Sequence, residues 1–172
     1  MDTEEGRAMK NIVLIGMPGA GKSTVGVLLA KTVGYSFIDC DLMIQEQTGE
    51  LLYRIIEKEG IDAFLAIEDR VIAGLEVSRS VIATGGSAVF GTRAMEHLKS
   101  IGTVVYLKLP PDEIERRIRN ITTRGIAMNP GETIRDVFAV RAPLYDRWAD
   151  VTVDCVGCTP EQVIEKILDA VR

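Results

Sequence analysis

Apolar stretches of two kinds alternate along this chain, and their alternation predicts its fold. Short apolar runs rich in β-branched residues predict five strands, at residues 11–15, 36–39, 80–84, 103–109 and 151–154. Between them lie longer stretches in which apolar residues recur every three to four positions, as is typical of amphipathic helices. Strands that alternate with helices in this way predict a parallel sheet covered by helices on both faces. We therefore expect a doubly wound α/β domain that binds ligands at the carboxyl ends of its strands.

Helix caps and chain breakers limit the predicted helices. A glycine directly follows several of them, as Gly34 follows the first, and Pro111 with two acidic residues opens another. The predicted helices cover residues 25–33, 42–48, 51–59, 62–78, 92–99, 111 onward, 133–148 and 160–171. Pro143 should kink or restart the helix that contains it. Residues 122–132 contain glycine and proline without helical periodicity, so we expect a loop there.

The composition sets broad limits on the function. The chain has 172 residues, of which 47% are hydrophobic and 26% charged, as is ordinary for one globular domain. Its net charge of −5 and its dispersed basic residues argue against a nucleic-acid partner. No apolar run approaches the roughly 20 residues of a membrane helix. We expect residues 1–9 to form a disordered extension and residues 10–172 a single, monomeric, cytoplasmic domain.

The three cysteines do not define a disulfide framework. Cys155 and Cys158 form a C-x-x-C pair, which is found in both redox and zinc sites. A zinc site takes about four ligands, and the chain offers one further cysteine and one histidine, His97. We therefore expect reduced thiols beside a loop.

A glycine-rich segment joins the first predicted strand to the first predicted helix. Residues 16–24 read Gly-Met-Pro-Gly-Ala-Gly-Lys-Ser-Thr and match the pattern G-x-x-x-x-G-K-[ST]. Glycines let backbone N–H groups close around a phosphate, and a helix N-terminus favours negative charge. Lys22 adds a positive charge, and Ser23 offers a hydroxyl to Mg²⁺. With strand and helix both in register, the segment predicts binding of a nucleoside triphosphate. The predicted contacts are Gly16, Pro18, Gly19, Ala20, Gly21, Lys22, Ser23 and Thr24.

Polar and glycine residues follow the second and third predicted strands, at the same edge of the sheet. Asp39 would approach the Mg²⁺ held by Ser23, and Asp41 would hold an acceptor hydroxyl in line with the γ-phosphate. Either aspartate could instead cap the next helix. Gly85 and Gly86 would let the backbone approach a ligand closely, although an ordinary turn has the same composition.

Two arginines complete the candidate site. Arg124 lies in the loop 122–132, which has the composition of a mobile lid that brings an arginine to the transferring phosphoryl group. Arg141 precedes Ala-Pro-Leu-Tyr145 and could bind an anion through two hydrogen bonds. A solvated loop and a surface ion pair are the simpler interpretations.

These segments, in this order, resemble the shikimate kinases of the nucleoside monophosphate kinase-like P-loop group. The resemblance extends from about Lys10 to the C-terminus. It rests on the phosphate-binding loop, Asp39-Cys-Asp41, Phe64-x-x-x-Glu68, Gly85-Gly86, Arg124 and Arg141-Ala-Pro-Leu-Tyr145. It implies a three-layer α/β/α fold with strand order 2-3-1-4-5. It also implies transfer of the γ-phosphate of ATP to the 3-hydroxyl of shikimate, in the biosynthesis of aromatic amino acids.

The resemblance also implies a role for each candidate residue. Lys22 and the loop amides bind the β- and γ-phosphates, and Ser23 and Asp39 serve Mg²⁺. Asp41 is the candidate base, and Arg124 comes from the lid. The remaining implied contacts are those to the acceptor, from Asp41, Phe64, Leu65, Glu68, Gly85, Gly86 and Arg141, and those to adenine, from Arg117 and Pro160.

Two positions depart from the family pattern. Leu65 stands where the family usually carries an arginine that pairs with the shikimate carboxylate, and Ser87 replaces a third glycine. Losing one charge-assisted hydrogen bond costs about 1.5–3 kcal/mol, or roughly a 10- to 150-fold loss of affinity. The acceptor is then shikimate bound by fewer arginines, or another hydroxylated acid, polyol or nucleotide. A paralogue that binds ATP without catalysing is a further alternative.

Overall fold

Five parallel strands form the centre of the fold. The computed structural model describes residues 10–118 and 125–171. The strands are β1 (Asn11–Ile15), β2 (Ser36–Asp39), β3 (Ser80–Ala83), β4 (Gly102–Lys108) and β5 (Val151–Asp154). Their order in the sheet is β2-β3-β1-β4-β5, which confirms the expected fold class and strand order. β1 pairs with β3 on one side and with β4 on the other, and all of its residues are buried.

Helices occupy the connections between the strands. They are α1 (Lys22–Val33), α2 (Cys40–Thr48), α3 (Leu52–Glu59), α4 (Ile61–Ala73), α5 (Thr92–Ile101), α6 (Pro111–Ile118), α7 (Ile134–Trp148) and α8 (Pro160–Val171), with a 3₁₀ helix at Ala88–Phe90. The chain passes from β1 to β2 towards one edge of the sheet and from β3 to β4 towards the other. Right-handed crossovers therefore place α1 and α5 on opposite faces. α1 packs against α8, and α4 packs against α5. In the described part of the chain, no helix combines the length and the apolar character of a membrane span.

The helix after β2 begins two residues earlier than predicted. It starts at Cys40 because Asp39 Oδ1 accepts hydrogen bonds from the N–H groups of Asp41 and Leu42, at 3.0 and 3.2 Å. Asp41 is thereby placed in the first turn of α2, not at the end of a strand as expected.

Two further helix predictions were wrong. α4 ends at Ala73 and not at Ser78, because Gly74 follows and the chain turns there towards β3. α7 runs through Pro143 as one helix, so the expectation that Pro143 restarts the helix was wrong. The proline gives up one backbone hydrogen bond, while the buried side chain of Tyr145 keeps the next turn packed against the core.

Candidate active site

A cavity of about 540 Å³ opens beside the carboxyl ends of β1, β2 and β3. Open parallel sheets bind ligands at this edge. Segments that follow these three strands line the cavity, together with side chains from α4, α6 and α7 and a short stretch of loop. The lining residues are Pro18, Gly19, Gly21, Lys22, Ser23, Thr24, Asp41, Phe64, Thr84, Gly85, Gly86, Ser87, Arg117, Gly125, Ile126, Ala127 and Arg141.

The phosphate-binding loop closes on its own lysine. Gly21 precedes α1 with a φ of 94°, a left-handed conformation that glycine adopts without strain. Lys22 Nζ donates hydrogen bonds to the carbonyl oxygens of Gly16 and Met17, at 2.6 and 2.8 Å. Burial lowers the pKa of Lys22 to about 8, although the nearby charge of Asp41 opposes the shift. The ammonium group is thus held in the cavity wall, at the N-terminus of α1, where a phosphate would bind.

Asp39 divides its two carboxylate oxygens between two tasks. Oδ1 caps α2, and Oδ2 accepts a hydrogen bond from Ser23 Oγ at 3.0 Å. Asp39 can therefore cap α2 and contact Ser23 in the candidate site at the same time. A hydroxyl and a carboxylate oxygen are hard ligands of the type that Mg²⁺ prefers, and Mg²⁺ commonly takes the rest of its shell from water and substrate phosphates. Ser23 and Asp39 fit that ion.

Asp41 presents its carboxylate to the same cavity from the first turn of α2. Burial raises the pKa of Asp41, and the neighbouring Asp39 carboxylate raises it further, against the attraction of Lys22. A carboxylate with a raised pKa in a cleft is suited to accept a hydrogen bond, and then a proton, from a ligand hydroxyl.

Gly85 and Gly86 lie where neighbouring side chains leave no room for a Cβ atom. A Cβ atom on Gly85 would lie 2.6 Å from Asp41 Oδ1 and 2.8 Å from Glu68 Oε2. A Cβ atom on Gly86 would lie 2.8 Å from Cδ of Pro18. All three separations are too short for real atoms. The packing of the site, rather than an ordinary turn, therefore accounts for this pair of glycines.

Glu68 is a buried carboxyl group next to this pair of glycines. Only 2% of the residue is exposed. Its Oε1 accepts a hydrogen bond from Ser87 Oγ at 2.7 Å, whereas its Oε2 has no hydrogen-bond partner among the described residues. Burial raises the pKa of Glu68 to about 7, and the hydrogen bond from Ser87 limits the rise.

Arg141 presents a buried guanidinium group to the cavity. The residue is 2% exposed, donates to the carbonyl oxygen of Ala127 at 2.7 Å, and lies 5.5 Å from the ring centre of Phe90. Within residues 10–118 and 125–171, no carboxylate lies within 4 Å of its nitrogens. Arg141 is therefore not the surface ion pair of the simpler interpretation. A buried cation without a protein anion is suited to bind an anionic ligand.

Arg117 also reaches the cavity and contacts the phosphate-binding loop. Its Nη1 lies 3.4 Å from the carbonyl oxygens of both Gly19 and Ala20, and its Nε donates to Glu113 at 3.2 Å. The guanidinium plane is thereby held beside the loop, where a nucleotide base could stack on it.

Other predicted contacts stand apart from the cavity. Gly16 does not line the cavity, although its carbonyl oxygen accepts a hydrogen bond from Lys22. Ala20 is buried behind the loop. Leu65 lines a separate surface depression of about 390 Å³, together with Phe90. Pro160 begins α8 outside the lining. Arg124 lies outside the described residues, as do residues 1–9.

Sequence reasoning assigned no role to two residues of the site. Thr84 lines the cavity and donates from its hydroxyl to the carbonyl oxygen of Leu14 at 2.8 Å. Tyr145 donates to the carbonyl oxygen of Gly86 at 2.6 Å and stacks on Tyr106, with ring centres 5.1 Å apart. The position of Thr84 directly after a buried strand could have indicated its place. The contact of Tyr145 joins residues 59 apart in sequence, and no local pattern indicates it.

The C-x-x-C pair lies at the end of β5. Cys155 is buried, Cys158 is half-buried, and both are free thiols, as is Cys40. Among the described residues, no three or more histidine, cysteine or acidic side chains are grouped so that they could hold a metal ion.

Comparison with known proteins agrees with this geometry. Residues 18–172 match the family described as "SKI: Shikimate kinase". The shikimate kinase of Thermodesulfovibrio yellowstonii is 40% identical over 163 residues, which are 93% of this chain and 94% of that protein. The shikimate kinase of Thiobacillus denitrificans is 43% identical over 147 residues, 84% of this chain and 80% of that protein.

Solved structures lead to the same family. The structure of shikimate kinase from Acinetobacter baumannii in complex with shikimate superposes with a TM-score of 0.83. That enzyme is 34% identical in sequence, and the match covers 93% of this chain and 91% of that one. Fold, cavity and relatives agree, and this chain belongs to the shikimate kinase family.

Proposed function

We propose that this chain transfers the γ-phosphoryl group of ATP to the 3-hydroxyl of shikimate, giving shikimate 3-phosphate. The observation that carries the proposal is the convergence of Lys22, Asp41 and Arg141 on one cavity. One ammonium, one carboxylate and one guanidinium suit a phosphate, a hydroxyl and a carboxylate respectively. The family membership and the shikimate-bound relative support this assignment.

In phosphoryl transfer, the protein mainly positions the reactants and stabilises the charge of the transition state. Lys22 and the backbone amides of the loop hold the transferring phosphate against Asp41. Asp41 orients the 3-hydroxyl and takes its proton as the bond to phosphorus forms. Arg141 binds the carboxylate of shikimate and fixes the ring. Ser23 and Asp39 would hold Mg²⁺, which, when bound, neutralises charge on the phosphates.

Further parts of the proposal rest on the family rather than on contacts. Arg124 would reach the phosphoryl group from the loop 122–132, and Arg117 would stack on adenine. Residues 1–9 are proposed as a disordered extension. We propose that the chain acts as a monomer. We place the enzyme in the cytoplasm, where ATP is available.

Release of ADP, measured with a coupled assay, tests the acceptor. We expect turnover with shikimate and none with gluconate or AMP. Leu65→Arg should lower the KM for shikimate about 10-fold or more, because the longer side chain would carry a positive charge from the depression that Leu65 lines towards the acceptor carboxylate, as the family pattern implies. Leu51→Arg is the matched control, since Leu51 is 44% exposed and lines neither the cavity nor the depression that Leu65 lines. Failure of both the wild type and Leu65→Arg to turn over shikimate would contradict the proposal and indicate another acceptor.

A further inference from the structure

Phe90 is an exposed aromatic residue next to the guanidinium of Arg141. It ends the 3₁₀ helix Ala88–Phe90, and 39% of the residue is exposed, so burial in the core does not account for a ring at this position. The ring instead lies against Arg141, whose Cζ is over the ring at 5.5 Å from its centre. Phe90 is not among the described residues that line the cavity. Any effect of Phe90 on a ligand must therefore pass through Arg141.

Three neighbours surround the guanidinium of Arg141. The ring of Phe90 is one of them, and the carbonyl oxygen of Ala127 accepts a hydrogen bond from Nη2 at 2.7 Å. Gly86 is the third, because a Cβ atom on this residue would lie only 3.0 Å from Nη1. A guanidinium carries five N–H donors in one plane. The bond to Ala127 therefore leaves most of these donors for a ligand in the cavity that Arg141 lines.

An aromatic ring holds a cation without neutralising it. The face of the ring attracts positive charge through its quadrupole, and the attraction is stronger where water is excluded. Arg141 is 2% exposed, so water does not weaken its contact with Phe90 as it would at the surface. A carboxylate at the position of the ring would also hold the guanidinium, but it would pair with the N–H groups that an anionic ligand needs. Phe90 thus leaves the charge of Arg141 available.

Leu65 makes the orientation of Arg141 more important. It lines the depression of about 390 Å³ together with Phe90, and it supplies no charge there. Leu65 stands where the family usually carries an arginine, so the chain offers no second cation from that position. The carboxylate of the acceptor then depends on Arg141. A displaced guanidinium would lose both hydrogen bonds of a bidentate contact together.

We propose, on the basis of the proposed function, that Phe90 is a positioning residue for acceptor binding. Its ring holds the guanidinium of Arg141 by a cation–π contact, so that free N–H groups face the carboxylate of shikimate. Phe90 itself touches neither shikimate nor ATP. The 3₁₀ helix that carries Phe90 packs against α4 and α7, and this packing keeps the ring in place relative to Arg141.

Phe90→Leu, assayed in the full chain, tests the inference, because leucine keeps an apolar side chain and lacks the ring. We expect the KM for shikimate to rise about 3- to 30-fold, the range for losing a cation–π contact with a desolvated guanidinium. The kcat and the KM for ATP should stay within about twofold of the wild type. Phe90→Tyr, which keeps a ring, should have the wild-type KM. Phe37→Leu is the matched control, since Phe37 packs on the core beside Gly26 and lies outside the described lining of the cavity.

Two binding measurements separate positioning of Arg141 from a general structural effect. Calorimetry gives the Kd without requiring turnover. The methyl ester of shikimate lacks the negative charge, so its Kd should differ less than twofold between the wild type and Phe90→Leu. In an Arg141→Gln background, Phe90→Leu should likewise change the Kd for shikimate less than twofold, because the cation that the ring holds is gone.

The failures of the two proposals are distinguishable. No turnover of shikimate by the wild type overturns the proposed function, and the role of Phe90 falls with it. Turnover by the wild type, with an unchanged KM in Phe90→Leu, overturns the role of Phe90 alone. Equal losses of affinity for shikimate and its ester, or a rise of the KM in Phe90→Tyr as large as in Phe90→Leu, would also contradict the inference. Phe90→Met, which is apolar and lacks a ring, replaces Phe90→Leu if the latter fails to fold.

Discussion

Asp41 combines a half-buried carboxylate, a raised pKa and a position opposite Lys22. Asp41→Asn keeps the shape of the side chain but removes the charge that we propose orients and deprotonates the acceptor. We expect kcat to fall about 100- to 10,000-fold, with little change in the melting temperature. Asp62→Asn, at an exposed site on α4, is the matched control. Wild-type kcat in Asp41→Asn would show that Asp41 has no part in the chemistry.

At this scale, residues near one another in sequence were the predictable ones. The pattern at residues 16–24 locates Lys22 and Ser23, and the end of β2 locates Asp39, whereas Asp41 lies in the first turn of α2. The pairing of Glu68 with Ser87 could not be foreseen, because 19 residues and a β-strand separate them. Leu65 was expected at the acceptor and lines another depression instead, which follows from the direction of its side chain on α4.

At the scale of the element, α2 depends on the residue proposed to serve Mg²⁺. Asp39→Ala removes both the cap and the metal ligand, whereas Asp39→Asn keeps a good cap and weakens the ligand. We expect Asp39→Ala to lose about 1 kcal/mol of unfolding free energy and Asp39→Asn only a few tenths. Both should need more Mg²⁺ for half-maximal activity. Urea unfolding and a Mg²⁺ titration measure the two effects.

The pair of variants separates the two tasks of Asp39. Equal unfolding free energies of the two variants would show that the cap contributes little to stability. An unchanged Mg²⁺ requirement would show that Asp39 does not bind the metal. Ser23→Ala, which leaves the cap intact, should change the Mg²⁺ requirement alone.

α7 carries two residues that contact the acceptor side of the candidate site. Arg141 and Tyr145 lie one turn apart on this helix, and Tyr145 bonds to Gly86 while Arg141 lines the cavity. Thr133 and Asp136 form a capping box that fixes the start of the helix. One helix therefore sets the distance between the anion-binding group and the glycine wall.

The start of α8 at Pro160 was predicted as the structure has it, because the residues that cap this helix are close in sequence. Thr159 and Gln162 exchange the two hydrogen bonds of a capping box, at 2.9 and 3.2 Å. The breaking effect of Pro143 was overestimated, since packing on the core outweighs one lost backbone bond. Rules based on neighbouring residues describe an isolated helix and do not include the stabilisation that packing on the core provides.

At the scale of the whole molecule, burying Glu68 links stability to pH. Its pKa is about 7 in the folded chain, against an ordinary value of 4.5 for an exposed glutamate. The folded state therefore binds the proton more tightly, and the contribution is complete below about pH 4.5 and lost as the pH rises through about 7. We expect the unfolding free energy of the wild type to fall by about 3 kcal/mol more than that of Glu68→Gln between pH 4.5 and 8.

Urea unfolding at both pH values measures this difference. Glu59→Gln, at an exposed position in α3, should behave as the wild type does. Parallel pH dependence of Glu68→Gln and the wild type would show that Glu68 does not bind its proton more tightly on folding.

The fold class followed from the alternation of strands and helices, but the strand order came from the family resemblance. Periodicity alone does not say whether β2 lies beside β1 or beyond β3. In the structure β1 is the central strand, and all of its residues are buried because both of its faces are covered.

The two carbonyl bonds of Lys22 have a consequence for the catalytic cycle. An arriving nucleotide must compete with Gly16 and Met17 for the ammonium group, so part of the attraction between them is cancelled at capture. The same carbonyls take the ammonium back when ADP departs. We therefore expect this loop to bind ADP less tightly, and to release it faster, than a loop whose lysine has no backbone partners.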